Sequence, residues 1–337
     1  MIELLSKLCL PAGVPGDEAP AAAVAAELLK PLGNVYTTAL GSVICSFPSE
    51  YEKVPHIMLT AHLDRIGLVV TRITDKGFLK VAPCGSPDLR SLLGARVTVH
   101  TNSGPICGVV SITPPHLSDG EQKPLPADKI SIDIGMNAEN AKSAVNPGDR
   151  ITLDGKLTTL LGNRVSAAAL DNRAGCAAII RAAQLLAGTS NPRISVALVS
   201  QEETGSAGAA TAANILAPDI AVAVDVSMAI TPDDSPDKCG IMGDGPMIGI
   251  APILERRLSN KLIDICKNEA IPYQLEVMGA NTSTDADHIA VSGKGVKTAL
   301  ISIPLRFMHT PAEIVDTTDI ENTALLIAKA VKGGGLC

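Results

Sequence analysis

The chain has 337 residues, a formal net charge of -7 and 46% hydrophobic residues, with three Phe, three Tyr and no Trp. That length holds one large domain or two smaller ones, and a core made of Ala, Val, Ile and Leu suits an α/β protein with buried parallel strands. No basic run or aromatic platform is present, which argues against nucleic acid as a partner, and no apolar run reaches membrane-spanning length.

In chain order, residues 1–9 and 21–30 read as helices, the second bracketed by Pro20 and Pro31. The N-terminal stretch carries Glu3 and Lys7 and reaches Pro11 too soon for a signal-peptide core. Residues 43–47 and 56–60 read as strands, and A-H-L-D-R-I-G (61–67) follows the second at once. From about Val70 to Leu160 the texture changes. Short alternating stretches at 78–81, 96–100, 106–112, 130–134 and 149–153 are punctuated by Gly, Pro, Asn and Asp, the pattern of a small β-barrel or sandwich. Residues 114–126, with Pro114, Pro115 and Pro126, read as an exposed loop within it.

From Ala167 the α/β pattern resumes: a helix from Asp171 to Leu186, a strand over 194–199, a helix over 207–214 and a strand over 220–226. A helix over 254–269, a strand over 298–303 and a helix over 319–331 complete the chain. The economical reading is one α/β domain, 1–69 and 161–337, interrupted by a β module over 70–160. Cysteines at 9, 45, 84, 107, 176, 239, 266 and 337 show no C-x-x-C spacing, so a sulfur-ligated zinc site is not indicated. A reducing cytoplasm is the simplest compartment.

The chemistry centres on Glu202 and Glu203, in S-Q-E-E-T-G-S-A-G (200–208), immediately after the apolar run 194–199. Two adjacent carboxylates beside a core are costly unless a cation meets them. His62, Asp171, Asp225 and His309 share the same setting, near predicted strand ends or a helix start, where ligands bind in open α/β sheets. Each residue alone has a structural reading. Asp171 serves as a helix cap, Glu202 and Glu203 as a solvated first turn, Asp225 as a turn residue, and His62 as a surface histidine. His309 precedes T-P-A-E (310–313), which reads as a capping box. Together they form a set with two imidazoles and no thiolate, which suits zinc, cobalt or manganese. Two such ions roughly 3.5–4 Å apart need a bridging carboxylate and share a hydroxide, and one carboxylate stays free as the base. Asp64, two residues after His62, offers an oxygen acceptor for the imidazole's other N–H.

The segments A-H-L-D-R-I-G-L-V, A-L-D-N-R-A-G, S-Q-E-E-T-G-S-A-G-A, A-V-D-V-S and I-P-L-R-F-M-H-T-P-A-E resemble, in order, those of the tetrahedral (TET-type) aminopeptidases, a family of dinuclear metallopeptidases that includes glutamyl aminopeptidases and endoglucanase M-like proteins. The resemblance covers essentially the whole chain. It implies a zinc-peptidase-like three-layer α/β/α domain with an inserted β-barrel used for dimerisation, peptide substrates, and dimers that assemble into twelve-subunit shells. It also implies His62 and Asp225 as terminal ligands of one metal, Glu203 and His309 of the other, and Asp171 as the bridge. Glu202 matches the catalytic base and Asp64 the carboxylate beside the first histidine.

Two stretches depart from the family pattern. T-S-T-D-A-D-H (282–288) has Ser283 where glycine is expected, and G-K-G-V-K-T (293–298) replaces a Gly-Pro-Thr-like run around Lys297. Both bear on specificity rather than on ligands. His288 reads as a surface-loop histidine. Two competing functions remain open. Glycoside hydrolysis by paired carboxylates leaves both histidines unused, and a catalytically silent assembly protein leaves a full set of competent ligands unexplained.

Overall fold

The computed structural model describes residues 1–48, 54–112, 116, 129–188, 193–232, 234, 238–332 and 335–336. The predicted loop over 114–126 lies, apart from residue 116, outside the described residues. The chain begins with α1 (Ile2–Cys9), α2 (Ala19–Leu29), β1 (Asn34–Thr37), β2 (Val43–Ser46) and β3 (His56–His62). A second group is β4 (Gly67–Ile73), β5 (Leu79–Cys84), α3 (Leu89–Leu92), β6 (Arg96–Thr101), β7 (Gly104–Val110), β8 (Ser131–Asp133), α4 (Ala138–Ala144) and β9 (Arg150–Leu153). The third opens with β10 (Thr158–Thr159), β11 (Arg164–Ala167), α5 (Leu170–Leu186), β12 (Arg193–Val199), α6 (Ala207–Leu216) and β13 (Ile220–Met228). It continues through β14 (Met247–Ile250), α7 (Arg256–Glu269), β15 (Gln274–Val277), α8 (Asp285–Ala290), β16 (Lys297–Arg306), β17 (Glu313–Asp316) and α9 (Thr317–Val331).

Among the described residues the larger sheet runs β1-β2-β12-β3-β13-β16-β17-β11-β10, with β14 against β16 and β15 against β14. Its centre, β12-β3-β13-β16, is parallel. Every residue of β3 is buried, as a parallel strand covered on both faces requires. Strand alternation sorts the side chains into two cores. Ile57, Leu59 and Ala61 pack with apolar residues of α1, α2, α5 and α9. Met58 packs on the opposite face with Ala209, Ala212 and Ala213 of α6 and Ile289 of α8. The architecture is a three-layer α/β/α domain, and its helices lie close because α5 and α6 are lined with alanine.

The second group of strands closes into an antiparallel barrel, β4-β5-β8-β7-β6-β9, filled by residues such as Leu68, Leu79, Val97, Val99, Ile132 and Ile151. Closure leaves no unpaired strand edge. Its first strand, β4, has no counterpart in the sequence reading, because Leu68, Val69 and Val70 run on without alternation. The short strands β14, β15 and β17 are likewise unannounced; pairing to neighbours defines them. The capping box expected over 310–313 does not form. Thr310 lies in a bend and Glu313 opens a strand, so the Glu313 carboxylate is free for other partners. No helix among the described residues is long and apolar enough to cross a membrane.

Candidate functional site

The carboxyl ends of β3, β12, β13 and β16 converge on a cavity of about 430 Å³ whose lining includes His62, Asp171, Glu202, Glu203, Asp225 and His309. His62 is the last residue of β3 rather than a loop residue beyond it. Its Nδ1 lies 3.2 Å from the Asp64 carbonyl oxygen, which leaves Nε2 to face the cavity. The Asp64 carboxylate, expected beside this imidazole, stands with Oδ1 3.6 Å from its Nδ1 and has a second task. It is completely buried, and its two oxygens accept the N–H groups of Glu202 and Glu203 at 3.0 Å each. It thereby holds the single 3₁₀ turn Glu202–Thr204, which the chain enters through a left-handed Gln201 (φ 59°).

Asp171 does not cap its helix. The backbone leaves helical geometry at Asp171 and Asn172, across a cis peptide. The capping role passes to Asn172, whose Oδ1 accepts the Gly175 N–H at 3.0 Å while its amide donates to the Val224 carbonyl. Released from capping, the Asp171 carboxylate lies between the two histidines, with Oδ1 3.2 Å from His62 Nε2 and Oδ2 3.3 Å from His309 Nε2. Asp225, near the end of β13, brings Oδ1 within 3.6 Å of His62 Nε2. Glu203 Oε2 is 3.5 Å from His309 Nε2. Potential ligand atoms thus gather in two trios, His62–Asp171–Asp225 and Asp171–Glu203–His309, each within 4.8 Å of one another. Glu202 belongs to neither trio; its Oε2 is 3.9 Å from His62 Nε2, and its side chain keeps 17% exposure.

The sequence reading missed three contributors. Glu313 accepts the backbone N–H groups of Asp171 and His309 at 3.0 and 2.9 Å, tying together the two segments that meet here. The barrel reaches the site through the segment after β5: the Ser86 carbonyl accepts from His309 Nδ1 at 2.9 Å, and the His309 carbonyl accepts from the Asp88 N–H at 2.9 Å. Gly85 (φ 77°) lets this segment pass close, since a Cβ there would stand 3.0 Å from Glu203 Oε2. Asp285, in the T-S-T-D-A-D-H stretch, is buried with no hydrogen-bond partner for either oxygen. The neighbouring departure, Ser283, adopts φ 58°, the left-handed region that favours the expected glycine. His288 is exposed, on α8 rather than in a loop.

The electrostatics of this cluster are those of anions awaiting a cation. Burial pushes the Glu202 carboxyl up to about 9 and Glu203 up to about 8, and one Glu203 oxygen is buried without a partner. Burial alone would lower both histidines, but Asp171 with Asp225 holds His62 well above its ordinary value, and Asp171 with Glu203 lifts His309 to about 9. Asp171 resists its own burial because both imidazoles stabilise the carboxylate, leaving it well below the usual range. Five carboxylates and two imidazoles line one cavity, and with an orphaned carboxylate oxygen this donor set fits divalent ions with nitrogen and oxygen ligands.

Residues 41–326 match the family model for the M42 glutamyl aminopeptidases. The chain is 32% identical to a lysyl aminopeptidase of Pyrococcus furiosus, over 98% of this chain and 96% of that one. Its fold superposes on an aminopeptidase from the archaeon Desulfurococcus kamchatkensis with a TM-score of 0.92, 33% identity and coverage of 98% and 94%. It also superposes on the TET1 peptidase of Pyrococcus horikoshii, which can assemble into a tetrahedron or a large octahedral shell, with a TM-score of 0.87, 31% identity and 98% of both chains covered.

Proposed function

The chain belongs to the M42 glutamyl aminopeptidase family, and on that premise we propose that it removes N-terminal residues from peptides at a dinuclear metal site. The reading rests above all on two ligand trios that share Asp171. His62 and Asp225 would hold one divalent ion, Glu203 and His309 the other, with Asp171 between them. The donor set suits zinc first and cobalt or manganese as alternatives. When bound, such ions supply Lewis acidity to the scissile carbonyl and make water acidic near neutral pH.

The protein's own groups do the rest. Glu202, outside both trios yet on the same cavity, takes the proton of the attacking water and returns it to the leaving amine. Its high pKa in the absence of cations reflects burial among other carboxylates, and bound ions would bring it back toward the range a base needs. Asp64 acts through the backbone, fixing Glu202 and Glu203 in one turn, while Glu313 and the Ser86 carbonyl orient Asp171 and His309.

In this reading residues 1–69 and 161–337 form the catalytic domain, and 70–160 form a module that pairs subunits. The P. horikoshii relative, which can assemble into a tetrahedron or a large octahedral shell, and a related structure with a dodecamer in the asymmetric unit support at least a dimer and, as the narrower proposal, a dodecamer. The seven described cysteines are free, which suits a reducing cytoplasm.

A metal-supplemented screen of aminoacyl chromogenic amides, repeated with chelator, tests the activity. Chelator-sensitive release is expected. Chelator-resistant cleavage of a glycoside would replace this reading with paired-carboxylate glycoside hydrolysis, and a metal-replete protein inert toward the whole panel would leave an assembly protein. Light scattering checks assembly; a fully active monomer at micromolar concentration would refute it.

A further inference from the structure

The cavity holds one carboxylate that the proposed reaction does not use. Glu276 lies on β15, at the outer edge of the β16-β14-β15 extension. Its strand neighbours Leu275 and Val277 are exposed on the other face, 51% and 74% accessible, so alternation aims Glu276 inward. The Ser227 hydroxyl donates to one of its oxygens and the Ser302 hydroxyl to the other at 2.6 Å. Ser302 stands opposite Asp225 in the β13–β16 register, so Glu276 is anchored directly beside the proposed metal ligands.

Two neutral hydroxyls satisfy two lone pairs, but they do not neutralise a charge. Among the described residues, no lysine or arginine lines the cavity. The walls near this carboxylate include Met228, Leu300 and Met308, apolar surface of the kind a methylene stem covers while its charged tip goes elsewhere. An acidic substrate side chain would meet a like charge here, and an aliphatic one would leave Glu276 desolvated without a counter-ion. A lysine ammonium or arginine guanidinium would complete the site with a charge-assisted hydrogen bond.

We infer that Glu276, with Ser227 and Ser302, closes a subsite for the side chain of a basic N-terminal residue, lysine or arginine. The inference rests on the aminopeptidase reading above, and it names the substrate class which that reading leaves open.

The test pairs hydrolysis with binding. With zinc or cobalt supplied, kcat/KM is measured for lysyl, arginyl, leucyl and glutamyl 4-nitroanilides. Free L-lysine, L-norleucine and L-glutamate are titrated calorimetrically into the same protein. Lysyl and arginyl amides are expected to be cleaved best and the glutamyl amide worst, and lysine is expected to bind more tightly than norleucine, its analogue without the ammonium. Glu276→Gln, which keeps shape, is expected to lower the lysyl-to-leucyl ratio about 10–100-fold, the scale of one hydrogen bond to a charged group. Leucyl or glutamyl amides cleaved as well as lysyl by the unmodified enzyme would overturn the inference. If no amide is cleaved but lysine still outbinds norleucine through Glu276, the subsite stands and the aminopeptidase reading falls. Cleavage without preference, with lysine binding no better than norleucine, removes the subsite and leaves the aminopeptidase reading standing.

Discussion

The barrel and the carboxyl edge of the larger sheet are built on opposite principles. Among the described residues from β4 to β9, Thr152 is the only buried polar side chain, and the interior is Val, Ile and Leu. The larger sheet buries Asp64, Asp171, Asp225, Asp285 and Glu313 within one neighbourhood. Each buried carboxylate works against folding unless it is paired or protonated. The barrel, which needs only shape, contains none of these groups; at the sheet's edge Asp64 and Glu313 are met by backbone N–H groups, and Asp171 and Asp225 belong to the two trios of potential ligands. The barrel is still not a bystander, since its segment after β5 supplies the backbone oxygen that orients His309.

The contrast is broken most severely at Asp171. Asp171→Ala removes the group shared by both trios, and it is expected to lower metal content at both sites and abolish hydrolysis. Full occupancy by elemental analysis would show that Asp171 is not the bridge. Glu202→Gln comes next: turnover is expected to fall about 10²–10⁴-fold while metal stays bound. Glu203→Gln is expected to weaken metal binding instead, and a reversed pair of outcomes would exchange the two roles.

Within the barrel, Leu79→Ala removes a completely buried side chain and is expected to cost about 2–5 kcal/mol of stability in chemical denaturation, with metal stoichiometry unchanged. The junction gives a smaller effect. Gly85→Ala forces a left-handed residue, at a cost of about 1–2 kcal/mol, and presses toward Glu203. Metal held by Glu203 and His309 is expected to weaken more than metal held by His62 and Asp225, resolved by stepwise titration.

A further effect, on the whole metal-free protein, is a slope with pH. Glu202, Glu203 and His309 have folded values near 9, 8 and 9, above their ordinary values of 4.5, 4.5 and 6.5. The folded state therefore holds more protons than the unfolded one, so their contribution is full at low pH and fades as pH rises. Asp171, shifted the other way, loses its contribution only in strong acid. The melting temperature in chelator is expected to fall between about pH 5 and pH 9, and excess zinc, which binds deprotonated ligands, is expected to flatten or invert that slope. A chelated protein with a flat profile would contradict the buried charge balance.

Much of this molecule was readable along the chain. The apolar runs 194–199 and 220–226 read as buried strands and the alanine-rich stretch to Leu186 as a helix, and they fold as β12, β13 and α5. Adjacent glutamates after a buried strand read either as a solvated first turn or, with the two histidines and the two aspartates, as part of a metal site. What the sequence could not decide is which groups meet. Asp64 read as a partner of His62 and stands beside it, yet it also holds the Glu202–Glu203 turn; Asp171 read from its own position as a helix cap and only by resemblance as a bridge, and it lies between His62 and His309. Glu313 read as a cap and instead ties the Asp171 and His309 segments together. Glu276 sits in a four-residue strand with no motif around it, and only pairing through β14 to β16 brings it beside Ser302. Local preference acts over a few residues, whereas strand order brings together groups more than a hundred residues apart, so the side chains a carboxylate meets are set by the sheet.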